Sequence, residues 1–324
     1  LYLSVVMKTT TEIDIFADVV GQEKAKSKLG FFLRGHQNTG VVPALIFSAA
    51  KGVGKTYLAK EFRKGLIQRE GEDKGQRKPL HIIPCTKLGR KGFFDYVIKN
   101  RLWEKEVAIL LDEAHGMRDE LAESLLTILQ PNAENRNEYT YDDYILDFDM
   151  KRITWLFATS EVHKLNKPLL DRLERIDLEE YKPYHLVEII RRNLKTVDFD
   201  DGVLEDVVTI LRGNARSAQK MAGHFKSYLG NLTTFFMEDW IAIKKALGIN
   251  PMGLTPLEIR VLQILKEHKE TSLTRLAAVT GMSPEAVRQD LEMNLQKIDL
   301  LQVTTAGRSL TVQGHNYLES LVAA

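Results

Sequence analysis

Cysteine is all but missing from this chain. Cys85 is the single one among 324 residues, which excludes an internal disulfide framework and any zinc site built on several thiolates. Its expected role is that of a small apolar residue in the interior. An excess of charge of one sign is missing too: 45 Lys and Arg stand against 44 Asp and Glu. The chain is therefore not a polycation that coats nucleic acid, although a local basic face would still bind it. No run approaches the roughly 18 consecutive apolar residues that a membrane helix requires. The apolar start at 1–7 has no basic region ahead of it and acidic residues soon after, which argues against a signal peptide. Met7 is the expected natural start, with the residues before it as upstream read-through. The expected setting is a reducing cytoplasm, without a membrane.

What is present is the composition of a globular protein, 44% hydrophobic and 27% charged, in a length that suits two or three domains. A helix is expected near 22–34, a buried strand at 44–48, and an amphipathic helix over 55–68 with Leu58, Ala59, Phe62 and Leu66 on one face. The polar stretch 69–78 reads as a solvated loop. A strand at 80–84, a helix near 93–101, a strand at 107–111, a helix at 120–130 and a strand at 153–158 follow. Such alternation predicts an α/β fold, a parallel sheet with helices on both faces. From 183 to 247 the pattern is wholly helical, and the breaker cluster Asn250-Pro251-Met252-Gly253 marks a linker. Neither internal repeats nor low-complexity tracts are evident.

Lys51-Gly52-Val53-Gly54-Lys55-Thr56 lies between an apolar strand and an amphipathic helix, the context in which a glycine-rich loop binds phosphate. Backbone N–H groups and the helix N-terminus would cradle the oxygens, Lys55 would neutralise the β- and γ-phosphates, and Thr56 would hold Mg²⁺. Ala49 stands where the pattern has its first glycine, so a slightly altered loop is expected. Asp112-Glu113-Ala114-His115 ends the strand at 107–111. Asp112 is the expected partner of the Mg²⁺ site, Glu113 the general base on the attacking water, and His115 structural. ATP and Mg²⁺ are the expected cofactors.

Beyond these motifs, Phe16-Ala17-Asp18-Val19-Val20-Gly21-Gln22 and four further segments resemble AAA+ ATPases, above all the RuvB family of Holliday-junction branch-migration motors. The likeness runs from Phe16 to Tyr317 in family order. Ala158-Thr159-Ser160 is similar to the sensor 1 segment, with Ser160 at the sensing position. Pro168-Leu169-Leu170-Asp171-Arg172-Leu173 is similar to Pro-Leu-Arg-Asp-Arg-Phe, which makes Arg172 the arginine finger of a ring oligomer. Leu178-Glu179-Glu180-Tyr181, followed by Pro183, resembles the adenine-side segment, and Arg212-Gly213-Asn214-Ala215-Arg216 places sensor 2 at Arg216. The resemblance implies catalysis by Glu113, Arg172, Ser160 and Arg216, and ATP binding by Gly52, Val53, Gly54, Lys55, Thr56, Tyr57, Val19, Val20 and Tyr181. It also implies a hairpin insert at 131–150, carried by Tyr139, Tyr141, Tyr144 and Ile145, at the place where RuvB docks the junction-binding partner RuvA. Here the insert is rich in acids and amides, without an evident apolar tip.

The C-terminal stretch opens with the capping box Thr255-Pro256-Leu257-Glu258. Helices at 273–279 and beyond Ser283-Pro284, then strands at 300–303 and 309–312, describe a winged helix. Arg308, on the wing, and Arg288 and Lys297, on the third helix, are the expected DNA contacts. The competing use of such a unit is protein–protein contact. The whole divides into a large AAA+ domain at 1–180, a small helical lid at 181–250 and a winged-helix domain at 251–324. The expected function is that of a hexameric, ATP-driven motor on duplex or branched DNA. Ala49, Phe157, Glu161, Leu170 and Ala306 depart from the family pattern and point to a divergent member from a bacterium, phage or mobile element. The rival readings are a clamp-loader or helicase-loader ATPase, and a non-motor protein with ATP as a structural ligand.

Overall fold

The computed structural model describes residues 15–323, and the reading of Met7 as the start lies outside them. Two compact units are present. One is formed by the chain up to Thr196 together with Gly213–Asn231, the other by Val197–Arg212 and the chain from Leu232 onward.

In the first unit, α1 (Glu23–Thr39) precedes β1 (Leu45–Ser48), α2 (Lys55–Arg63), β2 (Leu80–Pro84), α3 (Arg90–Asn100), β3 (Val107–Asp112) and α4 (Asp119–Ile128). The hairpin strands β4 (Arg136–Tyr141) and β5 (Tyr144–Asp149) come next, then β6 (Ile153–Thr159), α5 (Lys167–Leu170), β7 (Glu174–Asp177) and α6 (Pro183–Asn193). Strands pair in parallel in the order β2-β3-β6-β1-β7. The three central strands, β1, β3 and β6, are buried along almost their whole length. Their near-continuous apolar runs suit a sheet covered on both faces. Edge strand β7 was not anticipated, because of its four residues only Ile176 is buried.

Two stretches of this unit differ from the sequence reading. Helix α2 stops at Arg63 instead of 68, its last turn tightened by bonds from Lys64, Gly65 and Leu66 to carbonyls three residues back. Gly65 packs so closely that a Cβ there would lie 2.7 Å from Ile15 and 2.8 Å from Leu33. The chain then doubles back, Gln68 bonding Gln76 and Lys78 bonding Leu66. At the end of that stretch Lys78 is not solvated but fully buried. Its Nζ donates to the carbonyls of Lys151 and Arg152 at 2.7 and 3.0 Å, tying the root of β2 to the turn before β6.

The insert is the expected antiparallel hairpin, with Tyr141 paired to Tyr144 across an Asp142-Asp143 turn. Phe94 of α3 stacks against Tyr139 and Tyr141 at centroid distances of 4.9 and 4.5 Å, which fixes the turn end of β4 to the body. Tyr144 and Ile145 stand exposed beside the turn, so the tip is not devoid of apolar surface. Helix α7 (Val203–Ile210) belongs to the second unit, α8 (Ala215–Leu229) to the first and α9 (Met237–Leu247) to the second. The stretch read as wholly helical also holds β8 (Asp198–Phe199) and β9 (Thr234–Phe235), a two-residue parallel pair.

The winged-helix elements of the second unit are α10 (Pro256–His268), α11 (Leu273–Thr280) and a third helix running from α12 (Pro284–Ala286) through a π-helical turn (Val287–Glu292) into α13 (Met293–Lys297). Wing strands β10 (Leu301–Val303) and β11 (Arg308–Leu310) pair antiparallel. Val312, read as strand, instead begins α14 (Val312–Ala323). Thr311 Oγ1 accepts from the Gly314 N–H at 3.0 Å and so caps that helix. A buried ion pair organises this unit. Arg212 grips both carboxylate oxygens of Glu258 at 2.9 and 2.8 Å, while Thr255 and Asn294 donate to the same carboxylate. Burial acts to raise the Glu258 pKa, but the bonds from Arg212 and Thr255 outweigh it and hold the carboxyl below its usual 4.5.

Two outcomes follow. Glu258→Gln leaves Arg212 half-buried and unpaired, and should cost about 3–5 kcal/mol in urea unfolding. The folded pKa of Glu258 is depressed, so its contribution is present above pH 4.5 and lost as pH falls through the folded value. That acid sensitivity should vanish in the variant. Burial pushes Lys78 down from 10.5 to about 8, so the unfolded chain holds more protons across that window and stability rises through it. Relative to Lys78→Met, the wild-type unfolding free energy should gain on the order of 3 kcal/mol across the window.

Candidate active site

The loop from Ala49 to Gly54 leaves the C-terminal end of β1 and turns into α2. Gly52 and Gly54 have φ of +83° and +106°, a left-handed backbone that side chains resist. Ala49 is not among the described residues with positive φ, so the loop does not demand glycine there. Lys55 is buried, and its Nζ donates to the carbonyls of Ala49 and Ala50 at 3.0 and 3.2 Å. Burial lowers the Lys55 pKa, opposed by the carboxylates of Glu113 and Asp112. Thr56 Oγ1 donates to Asp112 Oδ1 and Oδ2 at 3.2 and 3.1 Å. That hydroxyl and carboxylate form the hard oxygen set that suits Mg²⁺, an ion commonly held by few protein ligands plus phosphate and water.

Glu113 has φ of +51°, which turns it away from the strand. Ser160 Oγ donates to Glu113 Oε2 at 3.3 Å, and His115 Nδ1 lies 3.5 Å from the same oxygen. His115 is fixed by Thr159 Oγ1 at 3.0 Å, and its Nε2 lies 3.6 Å from Glu161. Glu161, where the family pattern has arginine, pairs with Lys164 at 2.7 Å. The hydrogen bond from Lys164 is the main reason its carboxyl titrates below the usual range.

Lys55, Thr56 and Glu113 open onto a cavity of about 660 Å³ that Tyr57, Val20 and Tyr181 also line, among others. Arg216 lines it too, from the first turn of α8. Val19 and Val53 are buried and do not line it, and Tyr57 reaches the Asp18 carbonyl at 3.4 Å. Sequence reasoning missed Asn214, Arg192 and Asn193. Asn214 caps α8 and also donates to the Lys51 carbonyl at 3.2 Å. A Cβ on Gly52 would come within 2.3 Å of its amide, so that glycine is required by close approach as well as by φ. Arg192 and Asn193 reach the cavity from α6. Their only signal was their position three and four residues after Ile189 on a helix whose place in the fold was unknown.

Other expected residues lie elsewhere. Arg172 stands outside the cavity, its guanidinium donating to the Pro168 carbonyl at 2.8 Å and to Gln130 Oε1 at 2.7 Å. Arg288 and Lys297 are exposed on the third helix of the winged unit. Arg308 is different: only 15% of its side chain is accessible, and its Nε donates to Glu292 Oε2 at 2.8 Å. Glu292 is buried, so the guanidinium that resembled a wing-tip phosphate contact neutralises an internal carboxylate instead.

Residues 45–184 match the family model for the ATPase family associated with various cellular activities, and residues 251–319 match that for the RuvB C-terminal winged helix domain. The Holliday junction branch migration complex subunit RuvB 1 of Synechococcus sp. (strain JA-3-3Ab) is 29% identical, over 91% of this chain and 78% of its own. The corresponding RuvB subunit of Mycoplasmopsis pulmonis is 24% identical, over 94% and 96%. The solved Thermotoga maritima RuvB Holliday junction branch migration motor superposes with a TM-score of 0.72 at 22% identity, covering 93% of this chain and 95% of that one. The two family models follow one another along the chain, and RuvB relatives match along nearly its whole length: the chain is a RuvB-like AAA ATPase.

Proposed function

We propose that this protein is an ATP-driven motor that moves duplex DNA and drives branch migration of Holliday junctions. The observation that carries the reading is the gathering of Lys55, Thr56, Asp112, Glu113, Ser160 and Arg216 at one cavity or its border, while Arg172 stands outside it. By family resemblance, an arginine at this position acts on the nucleotide of a neighbouring subunit, and the working form is then a ring, a hexamer.

Mg²⁺, held by Thr56 and through Asp112, would neutralise the phosphate oxygens. Glu113 takes the proton of the attacking water. As the water oxygen bonds to the γ-phosphorus, the bond from that phosphorus to the bridging oxygen breaks and ADP leaves. Ser160 bonds Glu113 and holds the carboxylate in the direction of attack. Lys55 and Arg216 offset charge on the phosphates, and Val19, Val20, Tyr57 and Tyr181 shape the base and sugar side. The domain division at 1–180, 181–250 and 251–324 assigns ATP chemistry to the first, response to the nucleotide to the second and DNA to the third. Arg288 and Lys297 serve as phosphate contacts. With Arg308 engaged by Glu292, fewer cations remain for DNA, and the salt dependence of binding is correspondingly shallow. Tyr144 and Ile145 on the hairpin provide a small apolar surface for a RuvA-like junction-binding partner. The setting is the cytoplasm of a bacterium. A loader would carry a helical collar where this chain matches the RuvB winged helix at 251–319.

The test is steady-state ATP turnover with and without a synthetic four-way junction. Wild type should be stimulated by the junction. Glu113→Gln should lose about 10²- to 10⁴-fold in turnover while still binding ATP. Arg172→Ala should lose on the order of 10³-fold or more and abolish the stimulation. Turnover indifferent to DNA in the wild type would sink the motor reading in favour of a protein partner as activator.

A further inference from the structure

An arginine that must reach a neighbour's phosphate faces a physical problem. In water its long side chain spreads over many rotamers, at roughly 2 kcal/mol of entropy, so something has to aim it. A carboxylate would aim it and cancel its charge together. In this chain the two groups that grip the guanidinium are both neutral. Nη1 donates to the Pro168 carbonyl at 2.8 Å and Nη2 to Gln130 Oε1 at 2.7 Å. Nε is buried with no partner, so these two contacts are what orients the group.

Pro168 lies in α5, four residues before Arg172, and constrains it only locally. Gln130 comes from elsewhere, two residues beyond the end of α4. The last carbonyls of a helix have no partners within it, and here the hairpin supplies one. Asn137 of β4 donates its side-chain amide to the carbonyls of Ile128 and Gln130 at 3.0 and 2.9 Å, and is itself bonded by Asn132 Nδ2 at 2.8 Å. Gln130 is thus fastened at its own backbone by the hairpin root while its side chain holds Arg172.

We infer that Gln130 is the positioning residue of Arg172: its neutral amide oxygen pre-orients the guanidinium without quenching its charge, and Asn137 keeps Gln130 in place. The inference rests on Arg172 acting as a trans finger. It predicts that charge at residue 130 matters as much as hydrogen bonding. Alanine there frees the arginine, whereas glutamate pairs with it and keeps it from the neighbour's nucleotide.

The experiment measures kcat, KM, ring size and melting temperature for the full-length protein with Gln130→Ala, Gln130→Glu, Asn137→Ala and Arg172→Ala. Gln130→Ala should lower kcat about tenfold, since small misplacements of catalytic groups are costly, with KM and ring size unchanged. Gln130→Glu should lower kcat at least as much, and about 0.5 M salt, which screens its exposed pair, should restore it in part. The same salt should not rescue Gln130→Ala. Asn137→Ala should fall between Gln130→Ala and wild type. If Gln130→Ala and Gln130→Glu keep wild-type kcat while Arg172→Ala is inactive, the positioning role is wrong and the finger stands. If Arg172→Ala itself keeps wild-type turnover, the finger reading fails and this role with it. A kcat loss tracked by equal losses in melting temperature or ring size, and insensitive to salt in Gln130→Glu, would show a structural role only and overturn the inference.

Discussion

Everything at the catalytic end of this molecule depends on parallel pairing of β1, β6 and β3. Ser48 pairs with Thr159, and Leu111 with Phe157, so the three strands end at nearly the same level. A one-residue slip would turn the residues of a strand to the opposite face. In the register observed, the loop after β1 delivers Thr56 to within 3.1 Å of the carboxylate that ends β3, and Ser160, just past β6, meets Glu113. None of these contacts is local in sequence. Near-complete burial of the central strands holds the register, so the apolar core specifies the polar site.

Where burial on both faces left a continuous apolar run, the sequence was readable: β1, β3 and β6 lie within a residue of their expected bounds. Where a strand draws its stability from its neighbour, it was not. Glu174-Arg175-Ile176-Asp177 has a single buried side chain and becomes strand by pairing with β1. Lys78 was unreadable for a related reason. A lysine after a polar loop is ordinarily solvated, and only the fold reveals two carbonyls waiting for it. At the C-terminus, alternation suggested that the wing strand ran on through Val312, whereas Thr311 caps a helix there. Competition between strand pattern and helix cap is decided by packing, and Gly314 sits where a Cβ would lie 2.2 Å from the Leu300 carbonyl.

The chemical motifs were easier to read than their surroundings, since a glycine-rich loop between strand and helix has few other uses. Departures from the family pattern carried less information than their chemistry promised. Ala49 sits where the backbone does not need glycine, so the missing glycine does not alter the left-handed turns at Gly52 and Gly54. Glu161 reverses the charge of the family's residue, and the site adapts locally through Lys164 and His115. Asn214 lies inside the sensor 2 segment, where only Arg216 was given a role, yet it both caps α8 and touches the phosphate loop.

Four arginines matched family positions, and their fates differ for one reason: whether a buried carboxylate lies within reach. Arg212 meets Glu258 and Arg308 meets Glu292, both glutamates buried. Desolvating a lone carboxylate is so unfavourable that each pair is committed to structure. Arg172 meets only an amide and a carbonyl oxygen, and Arg216 borders the nucleotide cavity. Motif spacing cannot separate these cases, because the deciding carboxylates lie 46 and 16 residues away in the chain. The capping box held half of the signal: Glu258 was legible as the N3 partner of Thr255, but its second oxygen-bonding face was not. In a divergent family member, then, an arginine at a familiar position is evidence for function only after the acids around it have been accounted for.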